Sequence, residues 1–473
     1  MRRSLQKTTL VAVALVIGSQ TCAGAASLTL EDAVRYALSH NPSLVSQRVT
    51  VANLESTFVK QHAAEYPTLS GSLQNQLSRS SNATGQFAQF GLSQQSRFSQ
   101  NTAQVGSNYT LYNGSLNQIL TQQDRRQMEA ARNDLRRAEQ QMAASVAAGY
   151  FNVANKANAV RLAQNNLTYQ NALLTVARAK ERVGQVAGVD VLRAQVAATQ
   201  ALSALVSNRA DVLTAQESLT QTIGAPPDTG FEVAQTVVEP PLPTTPLEQL
   251  VALAEGNRPD VYSAQENLQA ARLSRSLTDT DLLPQVALTG GFGDQTSPTS
   301  YGNLQAQIDA QNALCRRTPG CNTVLPNVVR GQPGFWQVGI ISSLALPIVD
   351  YGTRKAAHRA ADTAIDSAQT ALDSARRNVE ISVRQALRSA QTSAATLQYA
   401  KQSASLGEES ARIAQLQYRN GLISLTDVAA AQQTSLSAQS DLFNARIAYV
   451  NAVIALRTSL GTSDPVQTVA GLR

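Results

Sequence analysis

The sequence predicts a mainly α-helical chain that also carries four strands of a β-barrel. Three observations lead there: an internal duplication, long proline-free helical stretches that end at paired glycines, and short segments in which apolar residues alternate with polar ones. The phrase ERVGQVAGVDVLRAQ, beginning at Glu181, returns as QYRNGLISLTDVAAAQ, beginning at Gln417. Gly184 and Gly421, Asp190 and Asp427, and Gly224 and Gly461 are each 237 residues apart. Pro42 and Pro259, and Pro67 and Pro284, are only 217 apart, so the second copy carries an insertion of twenty residues. Gly114 and Gly352 are already 238 apart, which puts the insertion before Gly352, in the stretch with Cys315 and Cys321.

Residues 1–25 read as a secretory signal peptide. Arg2, Arg3 and Lys7 precede an apolar run from Leu10 to Ile17, and Ala23-Gly24-Ala25 has cleavage spacing. Cys22 is an alternative lipid-anchor position, which Gln20 and Thr21 fit poorly. Without the signal, 36 basic residues face 33 acidic ones, a balance that gives no electrostatic footprint for nucleic acid. Cys315 and Cys321 are then the only cysteines left, and export to an oxidising compartment makes a small disulfide-closed loop the natural reading. No other run reaches the ~18 apolar residues of a membrane helix, so membrane crossing falls to strands.

The first repeat spans 26–240 and the second 241–473. Each is expected to hold a half-length helix, two strands and a long helical hairpin. From Ser115 to Arg182 there is no proline, and Ala, Gln, Leu and Arg dominate, which favours helix throughout. Met128, Ala131, Leu135, Ala138, Met142, Ser145 and Gly149 step by three and four as a coiled-coil seam. Gly114 to Gly184 gives roughly 105 Å of helix at 1.5 Å per residue. The second copy repeats that leg from Gly352 to Asn420. Asp190–Gly224 and Asp427–Gly461 return about half as far. Leu28–Tyr66 and Pro246–Leu283 read as half-length legs that complete a slab four helices wide.

Strands are expected at about 68–80, 98–112, 285–295 and 335–348. In the last, Trp336, Val338, Ile340, Leu344 and Leu346 alternate with Gln337, Gly339, Ser343 and Ala345. Ala103, Val105, Tyr109 and Leu111 alternate in the same way with Gln104, Gly106, Asn108 and Thr110. Segments of about ten residues with this pattern suit a transmembrane barrel. Four strands cannot close around water and lipid does not tolerate free edges, so several chains must share one barrel; a homotrimer gives twelve strands.

At the hairpin turns, tips 183–190 and 420–427, Gly184 and Gly421 suit the left-handed position that ends a helix. Asp190 and Asp427 suit capping of the returning helices. Three histidines, no phosphate loop and no convergent set of Asp, Glu, His or Ser leave no catalytic, metal or cofactor site to assign.

The segment AAGYFNVANKANAV at Ala147, the two tip motifs, and SLSAQSDLFNARIAYVNAVIALRTSLG near the C-terminus resemble the TolC-like outer-membrane exit ducts of Gram-negative bacteria. The resemblance runs along essentially the whole mature chain, duplication included. It implies a trimer with a twelve-stranded outer-membrane barrel in contact with lipid and a helical tunnel reaching into the periplasm. It also implies docking to a periplasmic adaptor and to an inner-membrane ABC or proton-driven transporter, in drug efflux or type I secretion. The tips, at Gly184, Gln185, Gly421 and Leu422, would then meet the adaptor. A gate in the family ties neighbouring hairpins through an Asp, a Tyr and an Arg. Here those positions hold Asp190, Tyr418 and Ile423, so the charged tie is absent and a Tyr418–Asp190 bond is expected to remain. Asp427 would form a thin acidic ring, since the position three residues on is Ala430. A flagellin-like filament is the alternative, but it predicts neither a cleaved signal nor a tandem duplication.

Overall fold

The structure is a computed structural model and describes residues 27–82, 94–227, 232–233, 237–280, 282–296, 299–300, 304–318, 335–344 and 348–461. The signal peptide, Cys321 and Leu346 lie outside these residues. In chain order the elements are β1 (Ser27–Leu28), α1 (Leu30–His40), α2 (Pro42–Ala63), β2 (Thr68–Asn82), β3 (Gln94–Tyr112), α3 (Leu116–Arg182) and α4 (Gly188–Ile223). There follow β4 (Glu232–Val233), α5 (Leu247–Asn257), α6 (Pro259–Thr280), β5 (Gln285–Thr296), β6 (Thr299–Ser300), α7 (Leu304–Arg317), β7 (Phe335–Ser343), α8 (Thr353–Arg419) and α9 (Leu425–Ser459). Both long legs are unbroken helices of 67 residues. No described helix is long and apolar enough to cross a membrane.

Two expectations about elements need correction. Each half-length leg is a pair of helices, α1–α2 and α5–α6, broken at Asn41 and Arg258. Both residues precede a proline and are extended, with ψ of 125° and 122°, because the proline ring disfavours α backbone in the residue before it. The insertion of the second copy holds the 14-residue helix α7 where a loop was expected, and Cys315 lies inside that helix. Strand boundaries also shift: β2 and β3 run longer than expected toward their connection, and β7 stops at Ser343.

The chain divides into two compact units, and each takes segments from both repeats. One comprises 49–134 and 260–375 and contains the larger sheet, in which β2, β3, β5 and β7 pair antiparallel in that order, with β6 beside β3. The register aligns Val105 with Phe292 and Phe292 with Trp336, and also Tyr109 with Leu288 and Leu288 with Ile340. One face therefore carries these residues with Leu69, Leu73 and Val338, and Trp336 and Ile340 are 80% and 68% exposed. The other face carries Ser70, Ser72, Gln104, Asn108, Thr289, Gln337 and Ser343. The alternation thus matches the facing read from the sequence. Ion pairs join the helices of this unit: Arg126 Nη1 to Glu266 Oε2 at 3.0 Å and Arg275 Nε to Asp362 Oδ1 at 2.9 Å.

The described residues of the other unit fall within 27–48, 135–259 and 376–461. Its main core joins Leu30, Val34 and Ala37 of α1 to Val146, Ala147, Tyr150 and Phe151 of α3, Leu219 and Ile223 of α4, and Phe443, Ile447 and Val450 of α9. Phe151 is 1% exposed, and the Tyr150 hydroxyl donates to Leu28 O at 3.1 Å. The YF pair in AAGYFNVANKANAV is thus core. Here the buried face of α3 departs from the expected seam, and Ser145 is exposed. Three other helices surround this stretch, so more than one stripe is covered. The proline-rich connector between α4 and α5, EPPLPTTP over 239–246, is pinned to α8 and α9. Glu239 accepts from Lys401 Nζ at 2.6 Å and Arg446 Nε at 2.9 Å, and the buried Tyr449 hydroxyl donates to Pro240 O at 2.5 Å.

Candidate functional site

Both hairpin tips are built by the same backbone device. At the end of α3, Gly184 has φ of 74°, its N–H donates to Glu181 O at 2.9 Å, and the Gln185 N–H donates to Lys180 O at 2.9 Å. At the end of α8, Gly421 has φ of 77°, its N–H donates to Tyr418 O at 3.0 Å, and the Leu422 N–H donates to Gln417 O at 2.9 Å. This paired bonding is the Schellman motif, and it satisfies carbonyls that a helix end leaves open. A Cβ on either glycine would meet nothing within 4 Å, so only the left-handed backbone requires glycine there. Gln185 and Leu422 are exposed beyond the turns.

The restarts of the two returning helices differ. Ser424 is the N-cap of α9 and forms a capping box with Asp427: the Ser424 hydroxyl accepts from Asp427 N–H at 3.3 Å, and the Asp427 carboxylate accepts from Ser424 N–H at 3.1 Å. The Ser424 hydroxyl and backbone N–H hold the Asp427 carboxyl below the usual aspartate range. In α4 the duplicate of Ser424 is Ala187, which makes no side-chain cap. Asp190 consequently does not cap its helix as expected. It lies 3.4 Å from Arg193 Nη1 in an exposed pair.

Between the tips lies an apolar cluster of Leu173, Ala177, Ala194, Ala414, Tyr418, Leu425 and Val428, against which Ile423 and Tyr169 pack. Beside it a cavity of about 530 Å³ is lined by Lys180, Asp190, Arg193, Tyr418, Arg419 and Ile423, among others. Tyr418 is 4% exposed, and its hydroxyl has no hydrogen-bond partner among the described residues. Burial pushes the pKa of this phenol up, and the Asp190 carboxylate adds to the shift, so the group is neutral. The expected Tyr418–Asp190 bond is therefore not formed within the chain. Ile423 contributes packing and no donor.

A polar contact also joins the two tips, through a residue that no sequence motif marks. Lys180, in the last turn of α3, donates from Nζ to Tyr418 O at 2.7 Å and lies 4.1 Å from the centre of the Tyr418 ring. The signal for it was a break in the internal symmetry, because Gln417 occupies the corresponding place in the second copy.

The profile described as "Outer membrane efflux protein" matches residues 33–225 and 250–462. The outer membrane efflux protein BepC of Brucella suis is 26% identical over 298 residues, covering 62% of this chain and 62% of that relative; the match thus spans less than two thirds of the relative's length. Among solved structures, the Campylobacter jejuni CmeC outer membrane channel superposes with a TM-score of 0.72 at 18% identity, covering 91% of this chain and 85% of that one. The outer membrane protein VceC of Vibrio cholerae gives a TM-score of 0.70 at 18% identity, covering 91% and 96%. These similarities show a shared fold of helical tunnel and barrel strands.

Proposed function

The chain belongs to the outer membrane efflux protein family and resides in the outer membrane, and from that premise we propose that three copies assemble into one exit duct across outer membrane and periplasm. The observation that carries the reading is the four-stranded sheet. It is apolar on one face, and β2 and β7 each have one edge without a strand partner among the described residues. Open edges are not tolerated in lipid, and three such sheets joined edge to edge close a twelve-stranded barrel with an aqueous lumen.

In this reading the tips at Gly184, Gln185, Gly421 and Leu422 dock a periplasmic adaptor. The surroundings of Asp190, Tyr418, Ile423 and Asp427 form the periplasmic entrance. An inner-membrane ABC or proton-driven transporter supplies energy, and cargo choice belongs to the transporter and adaptor. Efflux, rather than type I secretion, is the role favoured by the name of the BepC relative. Cys315, inside α7, forms a disulfide with Cys321, and two free thiols in unreduced protein would overturn that assignment.

Reconstitution of the purified full chain into planar bilayers tests the duct. Ion conductance through discrete channels is expected. Folded, membrane-inserted protein that never conducts would contradict it.

A further inference from the structure

We propose that Lys180 is the positioning residue that holds the first hairpin tip against the second, and that the Tyr418 hydroxyl takes no part in this tie. The inference deepens the entrance reading and rests on it for its functional consequence. Lys180 sits in the last turn of α3 and Tyr418 in the last turn of α8, where carbonyls accumulate partial negative charge. The Tyr418 carbonyl already accepts from Gly421 N–H at 3.0 Å, and the Lys180 ammonium adds a second, charge-assisted donor at 2.7 Å. The same ammonium lies over the face of the Tyr418 ring, whose quadrupole attracts cations. One side chain thus uses both the backbone and the ring of Tyr418.

The phenol hydroxyl, by contrast, is buried without a partner among the described residues, so it adds nothing that its removal could release. Ile423 packs against the apolar cluster and offers no alternative donor. Asp190 is engaged by Arg193 on its own helix. Among these side chains, only Lys180 reaches from one hairpin to the other by a polar contact. Its half-exposed position means that its replacement leaves the core beneath it in place.

The test uses the full chain in detergent, with Cys315→Ala and Cys321→Ala, spin-labelled at Gln185→Cys and Leu422→Cys. Pulsed dipolar spectroscopy reads the separation of the tips. Lys180→Met and Lys180→Gln are expected to shift the distances to longer and broader values. Lys180→Arg should restore the parent distribution, and Tyr418→Phe should leave it unchanged. Parent-like distances in both Lys180→Met and Lys180→Gln, or a shift in Tyr418→Phe as large as theirs, would overturn the tie. Single-channel conductance of the same variants separates the two layers: a lengthened distance with raised conductance supports both. A lengthened distance with unchanged conductance retains the tie and overturns the entrance reading.

Discussion

Gly461 rests on the backbone of Arg258: a Cβ at Gly461 would stand 2.9 Å from Arg258 Cγ and 3.0 Å from its Cα and N. In the first copy Gly224 rests in the same way on Asn41, with Asn41 Cα 3.1 Å from such a Cβ. The duplication therefore preserves a contact between the end of a returning helix and the proline break of the half-length leg. Asn41 strengthens it by donating from Nδ2 to Thr222 O at 2.8 Å.

Gly461→Ala meets two penalties, a left-handed φ of 72° and a backbone clash. The backbone alone costs roughly 1–2 kcal/mol, and overpacking adds about 1–3 kcal/mol. Gly421→Ala, with open space around it, should lose only the first part. Thermal unfolding of the two variants is expected to rank Gly461→Ala as the more damaging; equal losses would mean that the contact yields easily.

The two returning helices offer a paired experiment on capping. Ser424→Ala removes an N-cap worth about 1 kcal/mol, and Ala187→Ser gives Asp190 the partner that Asp427 already has. Amide hydrogen exchange should quicken in the first turn of α9 in the former and slow in the first turn of α4 in the latter. No change at α4 would show that Arg193 keeps Asp190 from the box.

Ile340→Arg places a charge on the apolar face of the sheet and should cost roughly 2–4 kcal/mol if the residue sits near the bilayer midplane. Ser343→Arg lies on the opposite face and should be tolerated. Measurement of membrane insertion and assembly would reveal inverted facing if the two outcomes were exchanged.

The connector clamp gives a pH prediction. Burial raises the pKa of Glu239, but hydrogen bonds from Lys401 and Arg446 outweigh it and hold the carboxyl below the usual glutamate range. A depressed folded-state value means that the stabilisation is complete above the ordinary glutamate pKa and is lost as pH falls through the lower folded value. Limited proteolysis of the connector should accelerate on that acid limb, and Glu239→Gln should show faster cleavage at neutral pH already. A pH-independent cleavage rate would remove the clamp from the account.

Much of this architecture is legible in the sequence because it is periodic or repeated. The 237-residue spacing of Gly184 and Gly421 places both tips, and the alternation from Trp336 to Ile340 sets the strand face, although Ile341 breaks it. What escaped depends on single residues acting across distance. The breaks at Asn41 and Arg258 were signalled by the prolines that follow, yet the helical pattern on either side continued in phase. The helix α7 lies in the inserted segment, for which the first copy offers no counterpart. Lys180 and Tyr418 are 238 residues apart, and no local pattern announces a lysine that bonds a carbonyl and covers a ring. Tyr418 lies in the last turn of α8, and its hydroxyl is buried without a partner among the described residues.

The central claim is that one chain supplies a third of a closed barrel. Native mass spectrometry of the full protein released from detergent micelles tests this most directly. The account predicts a dominant species of three chains, and a species of one chain that remains folded and conducts ions would contradict it.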